Sequence, residues 1–371
     1  MFDLKKIFCI IVSVLICLCF KWRACAISAT AAVVINGDTG DILYASNADV
    51  RLPPASTTKI MTALVLLENC KDLDAEIVTT KEMVTVEGSS MGLLAGDRVS
   101  YRGLLYGMLL ASGNDAANTA AIAIGGSIEG FTDLMNSRAK QLGLNNTHFV
   151  TPSGLDAEGH YTTAYELALI AREALKNSDF AEAVQAKSAT LCYGNPPYLR
   201  RVSNHNRLLN MYDDIIGVKT GYTKKSGRCL VSAARNNGRY VIAVTLNDPD
   251  DWADHRFLLD TGIAAIDVYS YKPESSCISL PVEGGKELSV KAVTGEAEFC
   301  IPKGEDVKAV VCVPKFLYAP VNENDIIGQV CYYCSGRVVY RSNVIANTAV
   351  ERKKENAFVA VFQIFKSMFG S

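Results

Sequence analysis

The stretch Pro53-Pro54-Ala55-Ser56-Thr57-Thr58-Lys59 runs directly into the apolar segment Ile60-Met61-Thr62-Ala63-Leu64-Val65-Leu66-Leu67, and together they predict a buried helix that starts near Ser56. Ser56 and Lys59 are three residues apart, so they share one helix face and the amine can reach the hydroxyl. A serine at a helix start also lies at the positive end of the helix dipole, beside unpaired backbone N–H groups. On its own, however, this four-residue pattern is more often a capping serine followed by a surface lysine.

Two further motifs change that interpretation. Ser112-Gly113-Asn114 follows a buried-helix pattern over residues 104–111, and Lys219-Thr220-Gly221 follows the short apolar run Ile215-Ile216-Gly217-Val218, which is typical of a buried strand. The ordered set S-x-x-K, S-x-N and K-T-G resembles the penicillin-recognising serine enzymes, which are the penicillin-binding proteins, the D-Ala-D-Ala carboxypeptidases and the serine β-lactamases.

Within that superfamily the chain is most similar to the low-molecular-mass D-alanyl-D-alanine carboxypeptidases of peptidase family S11. Ser-Gly-Asn at the second motif matches their pattern, whereas class A β-lactamases usually carry Ser-Asp-Asn. The stretch over residues 53–62 and the segment Thr151-Pro152-Ser153-Gly154-Leu155-Asp156 also match. The resemblance is strong over residues 30–265 and extends to the remainder by general layout.

The resemblance implies a role for each motif residue in acyl transfer. Ser56 is the expected nucleophile, and Lys59 is the preferred base, although the identity of the base is disputed in this superfamily. Burial and the nearby Lys219 cation would lower the Lys59 pKa and so make its amine a usable base. By the same resemblance, Asn114 holds the Lys59 amine and the substrate amide, and Ser112 relays protons to the departing amine. Lys219 and Thr220 bind the terminal carboxylate of the substrate, and Gly221 lets the substrate approach the strand edge. The N–H groups of Ser56 and Tyr222 form the oxyanion hole.

The substrate implied by the resemblance is the peptidoglycan stem pentapeptide that ends in D-Ala-D-Ala, and β-lactams would acylate the same serine. A β-lactamase or transpeptidase of the same superfamily is one alternative, and a non-catalytic wall-binding protein is another. Efficient β-lactam hydrolysis is disfavoured, because Glu166 heads Glu-Leu-Ala-Leu-Ile rather than the E-x-x-L-N loop and is better explained, with Thr163, as a capping box. An arginine that helps to bind the carboxylate in some relatives has no counterpart in residues 248–255.

Other catalytic classes find little support. The four histidines are scattered and there is no G-x-S-x-G elbow, which disfavours a Ser-His-Asp hydrolase. No metal or cofactor is expected, since Cys331 and Cys334 would point to opposite faces of a strand. Residues 27–371 have eight cysteines, and their disulfide state is left open: Cys70, Cys192, Cys229, Cys277, Cys300, Cys312, Cys331 and Cys334.

The N-terminus predicts export. Lys5 and Lys6 precede an apolar run over residues 7–20, and Ala24-Cys25-Ala26 resembles a small-x-small cleavage site, so residues 1–26 read as a signal peptide, either cleaved or retained as an anchor. Four of the 37 basic and one of the 39 acidic residues lie in that segment, which leaves a net charge of −5 on the rest. No nucleic-acid partner is expected from such a charge. The predicted location is the outer face of the cytoplasmic membrane or the cell wall.

At 371 residues with 49% hydrophobic content, the chain can hold two domains. Hairpins over 31–44 and 229–244 enclose predicted helices at 56–69, 102–111, 114–125, 129–142 and 163–176. This order predicts an α/β domain over 27–270, an antiparallel sheet flanked by helices on both faces, which agrees with the β-lactamase/transpeptidase-like fold that the resemblance implies. A last helix is expected over 262–274, followed by a small all-β domain over 275–346.

Residues 350–371 are predicted to form a membrane-associating tail. Phe358, Val361, Phe362, Phe365 and Phe369 recur at helical spacing after the charged residues 351–355. The segment is too short to span a bilayer but suits an amphipathic helix at the membrane surface. The alternative is a terminal helix packed on its own domain.

Overall fold

The computed structural model describes residues 27–272 and 278–353. The predicted signal peptide therefore lies outside the described residues, as do residues 354–371 of the predicted tail. A 3₁₀ helix spans Ala55–Thr58. The α-helices are α1 Lys59–Asn69, α2 Lys81–Val84, α3 Tyr101–Leu109, α4 Asn114–Gly125, α5 Ile128–Gln141, α6 Ala164–Ala174, α7 Ser178–Gln185, α8 Leu208–Met211 and α9 Asp251–Ala264.

Seventeen strands are described, and they form four sheets. The strands are β1 Ala31–Asn36, β2 Ile42–Ser46, β3 Glu76–Val78, β4 Arg98–Ser100, β5 Ser188–Gly194, β6 Pro197–Ser203, β7 Ile215–Thr223, β8 Gly227–Asn236, β9 Arg239–Leu246, β10 Ile266–Tyr271, β11 Ile278–Glu283, β12 Ser289–Thr294, β13 Ala297–Pro302, β14 Val307–Cys312, β15 Leu317–Tyr318, β16 Ile326–Cys334 and β17 Arg337–Ala346.

The central sheet has the antiparallel order β2-β1-β9-β8-β7. Every residue of β1 is buried, so both faces of the sheet are covered. Helix α9 packs against β1, β8 and β9, and helix α6 packs against β1 and β9. The hairpins predicted over 31–44 and 229–244 are confirmed, as is the α/β fold class with an antiparallel sheet between helices. Strand β7 lies at the sheet edge, which leaves one of its sides open to the candidate site.

The second part of the chain is all-β, as expected. Its main sheet has the order β14-β16-β17-β12-β11-β15, and a separate pair joins β10 to β13. A core of its own includes Phe299, Tyr332 and Val344. Cys300 ties this part to the first, because its N–H donates to Asp38 Oδ2 at 2.8 Å and its carbonyl accepts from Asn36 Nδ2 at 3.0 Å.

Two details differ from the sequence-based expectations. The prediction of a helix over residues 262–274 is wrong. The helix spans Asp251–Ala264, and residues 266–271 form β10, which pairs along its whole length with β13. The first residues of the predicted tail belong to the β-rich part, since Val350 is buried and pairs with Val321, and Arg352 pairs with Gly285. Within the described ranges, no helix is long and apolar enough to cross a bilayer.

Candidate active site

Ser56 lies in a tight 3₁₀ turn that its neighbours hold in place. Ala55 has φ +49°, a left-handed conformation that costs free energy for a residue with a Cβ and persists where the surroundings impose it. A Cβ added to Gly154 would lie 1.9 Å from Ala55 O, and one added to Gly221 would lie 3.0 Å from Ser56 N. The loop 151–156 and strand β7 therefore press on the turn from two sides, and only glycines permit that approach.

Lys59 is fully buried and makes three contacts through Nζ. The distances are 3.0 Å to Ser56 Oγ, 2.7 Å to Asn114 Oδ1 and 2.6 Å to Ser153 O. The last two atoms can only accept hydrogen bonds. A neutral amine would therefore donate its two N–H groups to these two oxygens and direct its lone pair toward the Ser56 hydroxyl. This is the geometry that a general base needs.

The environment also favours a neutral Lys59. Burial lowers its pKa well below the ordinary lysine value, the Lys219 cation lowers that pKa further, and the Asp115 carboxylate opposes both effects. Asn114 is fixed at its other end, because Nδ2 donates to Glu87 O at 2.7 Å. Asp115 holds the same loop, since its carboxylate accepts from Met91 N at 2.9 Å and Leu93 N at 3.0 Å.

The first turn of α4 carries Asn114, and Ser112 stands just before it. Ser112 has φ +57° and is buried except for the face that lines a cleft shared with Ser56. Asn114 N donates to Ser89 O at 2.7 Å, which anchors the helix start to the loop that Asp115 organises. The structure thus brings the first two motifs together, as the resemblance implied.

The third motif lies on β7 next to Ser56. Lys219 is 1% exposed, its Nζ donates to Thr220 O at 2.9 Å, and burial lowers its pKa to about 7. The sequence assigned Gly221 to substrate approach, and the structure adds a packing requirement against the Ser56 turn. Tyr222 is the most exposed of the four residues, at 66%. Its side chain projects outward, whereas its proposed role uses only the backbone N–H.

The cleft in front of Ser56 has a volume of about 560 Å³. Five of the residues that line it were singled out from the sequence, namely Ser56, Ser112, Thr220, Gly221 and Tyr222. Five were not, namely Ser89, His205, Arg228, Asp251 and Trp252. Arg228 stands directly opposite Tyr222 in the β7–β8 register, so the hairpin pattern of the sequence contained a signal for it.

Residues outside the cleft have supporting roles. His160 accepts from Val150 N at 3.0 Å through Nδ1, so its Nε2–H faces Thr58 Oγ1 at 2.9 Å, and burial lowers its pKa to about 4. Thr163 caps α6 by accepting from Glu166 N at 3.1 Å. The Glu166 carboxylate does not complete the predicted capping box, because it accepts from Asn146 N at 2.9 Å. Glu166 is also absent from the cleft lining, which disfavours a deacylating glutamate.

The chain matches two family models in succession. Residues 20–250 match the family described as D-alanyl-D-alanine carboxypeptidase, and residues 270–352 match the C-terminal domain of penicillin-binding protein 5. Among curated proteins, it is 33% identical to D-alanyl-D-alanine carboxypeptidase DacF of Bacillus subtilis over 87% of this chain and 86% of that protein. It is 32% identical to D-alanyl-D-alanine carboxypeptidase DacC of Escherichia coli, over 94% of this chain and 91% of that one.

Solved structures agree with these matches. Penicillin-binding protein 5 from Haemophilus influenzae superimposes with a TM-score of 0.64 at 29% identity, covering 88% of this chain and 98% of that chain. The Streptomyces K15 DD-transpeptidase superimposes with a TM-score of 0.62 at 36% identity, covering 64% of this chain and 98% of that chain. The first similarity spans both parts of the described fold, and the second covers less of this chain.

Proposed function

Since the chain belongs to the D-alanyl-D-alanine carboxypeptidase family, peptidase family S11, and is a serine-type hydrolase of the cell wall, we propose that Ser56 is its nucleophile and Lys59 its general base. The observation that carries this proposal is the Lys59 amine, which is buried, depressed in pKa and 3.0 Å from Ser56 Oγ. Both its N–H acceptors are supplied by the protein, so its lone pair is available to the serine proton.

Acylation begins when Ser56 Oγ attacks the carbonyl carbon of the penultimate D-alanine and its proton passes to Lys59 Nζ. The N–H groups of Ser56 and Tyr222 stabilise the oxyanion that forms. The C–N bond then breaks, and the departing amine takes the proton from the Lys59 ammonium through the Ser112 hydroxyl. Free D-alanine leaves, and the shortened stem stays esterified to Ser56.

Deacylation repeats these proton transfers with water. Lys59 takes a proton from the water as its oxygen attacks the ester carbonyl, and the Ser56 alkoxide leaves with the proton restored. This step regenerates the Ser56 hydroxyl and releases a stem peptide that ends in one D-alanine. A β-lactam follows the same first step, because attack by Ser56 Oγ opens its ring and leaves an ester on the serine.

The substrate is the peptidoglycan stem pentapeptide that ends in D-Ala-D-Ala. Family members are periplasmic or cell-wall-associated enzymes. We infer that residues 1–26 direct export and that residues 354–371 attach the enzyme to the outer face of the cytoplasmic membrane. The aromatic side chains that begin at Phe358 would enter the headgroup region, and Lys353 and Lys354 would face anionic lipid.

Two incubations test the proposed function. The chain from residue 27 onward is mixed with a fluorescent penicillin, and separately with diacetyl-Lys-D-Ala-D-Ala. Stable labelling together with release of D-alanine is the expected result. Rapid turnover of the penicillin would indicate a β-lactamase, and failure of both reactions would indicate a non-catalytic wall-binding protein.

A further inference from the structure

The cleft contains one permanently charged guanidinium, that of Arg228, among the described residues that line it. Arg228 is on β8, next to the edge strand, and its Cα partner across the ladder is Tyr222. Directly opposed residues of an antiparallel pair share a face, so Arg228 and Tyr222 project to the same side. Arg228 therefore flanks the end of the cleft that Thr220 and Tyr222 also line.

Arg228 is held in position by the start of α9. Nη2 donates to Asp251 Oδ1 at 2.6 Å, and Asp251 is itself 3% exposed. The guanidinium carbon lies 5.5 Å from the centroid of the Trp252 ring. A fixed guanidinium loses less conformational freedom when it binds an anion than a free one does.

The guanidinium also retains unused donor capacity. Its Nε is buried and has no hydrogen-bond partner among the described residues. The Arg228 side chain is 42% exposed, so the rest of the group reaches solvent in the cleft. A guanidinium presents its donors as a planar fork that fits a carboxylate. An anionic ligand in the cleft can accept from the solvent-exposed donors of this fork.

Lys219, the other cation assigned to the carboxylate from the sequence, is poorly suited to that role. It is buried, and its Nζ donates to Thr220 O. Lys219 is also absent from the described residues that line the cleft, and burial lowers its pKa to about 7. Its position suits tuning of Lys59 better than contact with a substrate anion.

We propose that Arg228, positioned by Asp251 and Trp252, is the substrate-binding residue that takes the free C-terminal carboxylate of the peptide to be cleaved. This inference rests on the proposed function and deepens it, because it assigns the preference for a chain end to one side chain. Residues 248–255 contain no arginine, and Arg228 approaches the same end of the cleft from the neighbouring strand. Asp251, where α9 begins, serves as the partner of Arg228.

The test compares R228Q with the unmodified enzyme on two substrates, diacetyl-Lys-D-Ala-D-Ala and its C-terminal carboxamide. Loss of a charge-assisted hydrogen bond predicts a fall in kcat/KM of about 10- to 100-fold for the free acid. For the carboxamide, which has no anion to bind, kcat/KM is expected to stay within about twofold. An equal loss on both substrates, or no loss on either, would overturn the proposal.

Two further variants separate binding from folding. R228Q leaves Asp251 buried without its partner, so R228Q/D251N replaces the ion pair with two amides, and the loss is expected to remain selective for the free acid. R235Q, on the same strand outside the cleft, is the matched control and should change neither substrate. A double variant that loses both substrates equally, with an unchanged melting temperature, would contradict the proposal.

The peptide assay also distinguishes a failure of the proposed function from a failure of the role assigned to Arg228. If the unmodified enzyme releases no D-alanine from the free acid, the proposed function fails. The role of Arg228 is then tested by acylation with benzylpenicillin and with its methyl ester. R228Q should slow acylation by the free acid selectively, and equal slowing of both would reject Arg228 as the carboxylate-binding residue.

Discussion

Replacement of Lys219 by methionine should stabilise the folded enzyme at neutral pH. Lys219 is 1% exposed, and burial lowers its pKa to about 7 from an ordinary lysine value of 10.5. The folded state thus disfavours the charged form relative to the unfolded chain. Methionine keeps a long apolar stem of similar volume and has no charge to bury.

The magnitude and its sign follow from proton linkage. Between the folded pKa and the unfolded pKa, the unfolded chain binds more protons than the folded one, so stability rises with pH over that window. With the two pKa values above, the destabilisation due to Lys219 is on the order of 4 kcal/mol at pH 7 and about 1 kcal/mol at pH 10. The free energy of unfolding of K219M should therefore exceed that of the unmodified enzyme by these amounts.

Urea unfolding at pH 7 and pH 10 measures the difference. The sequence has two tryptophans, Trp22 and Trp252, so a chain that begins at residue 27 reports unfolding of the catalytic part through Trp252 alone. K224M is the matched control, because Lys224 is exposed on the turn after β7. If K219M is no more stable than the unmodified enzyme at pH 7, or if its advantage does not shrink toward pH 10, the assignment of Lys219 as a destabilising buried cation is wrong.

Three other outcomes are expected. K219M should move the acid limb of the kcat/KM profile to higher pH, because the Lys219 charge is one cause of the depressed Lys59 pKa; an unmoved limb would contradict that coupling. G221A should lower kcat by displacing Ser56 and should cost about 1–3 kcal/mol of stability. G154A should cost more stability, since its Cβ would meet Ala55 O at 1.9 Å and the residue has φ +84°. Urea unfolding compares the stability losses of the two variants, and a larger loss in G221A would refute this reasoning. Removal of residues 354–371 should abolish flotation with anionic liposomes without reducing hydrolysis of a soluble peptide, and flotation of the truncated chain would exclude the tail as the anchor.

The sequence predicted the helices and strands of the catalytic fold because these depend on strong local signals, whereas it predicted the meeting of the three motifs only through a family resemblance. The apolar run after Lys59 and the small residues of α4 gave helix bounds close to those observed. Helical spacing brought Ser56 and Lys59 together, but their clustering with Asn114 and Lys219 followed from the resemblance, since residues so far apart in the chain carry no spacing rule that brings them together. The structure supplies the contacts that the motifs omit, such as Ser153 O at 2.6 Å from Lys59 Nζ.

The failures share a physical cause, which is long-range pairing. Residues 266–271 form a strand because β13, some thirty residues away in the chain, supplies its hydrogen-bond partners. The apolar residues before this strand favoured a helix that in fact ends at Ala264. Arg228 was missed for a similar reason, because its position in the cleft also depends on Asp251 at the start of α9, which is 23 residues further along the chain.

Peptide mapping of the β-lactam adduct by mass spectrometry tests the proposed chemistry most directly. The enzyme is incubated with a penicillin and digested, and the modified residue is located, with S56A treated in parallel. The expected result is one adduct on Ser56 and none in S56A, whose stability should remain within about 1–2 kcal/mol because a half-buried hydroxyl contributes little to packing. An adduct on any other residue, or labelling that persists in S56A, would contradict the assignment of Ser56 as the nucleophile.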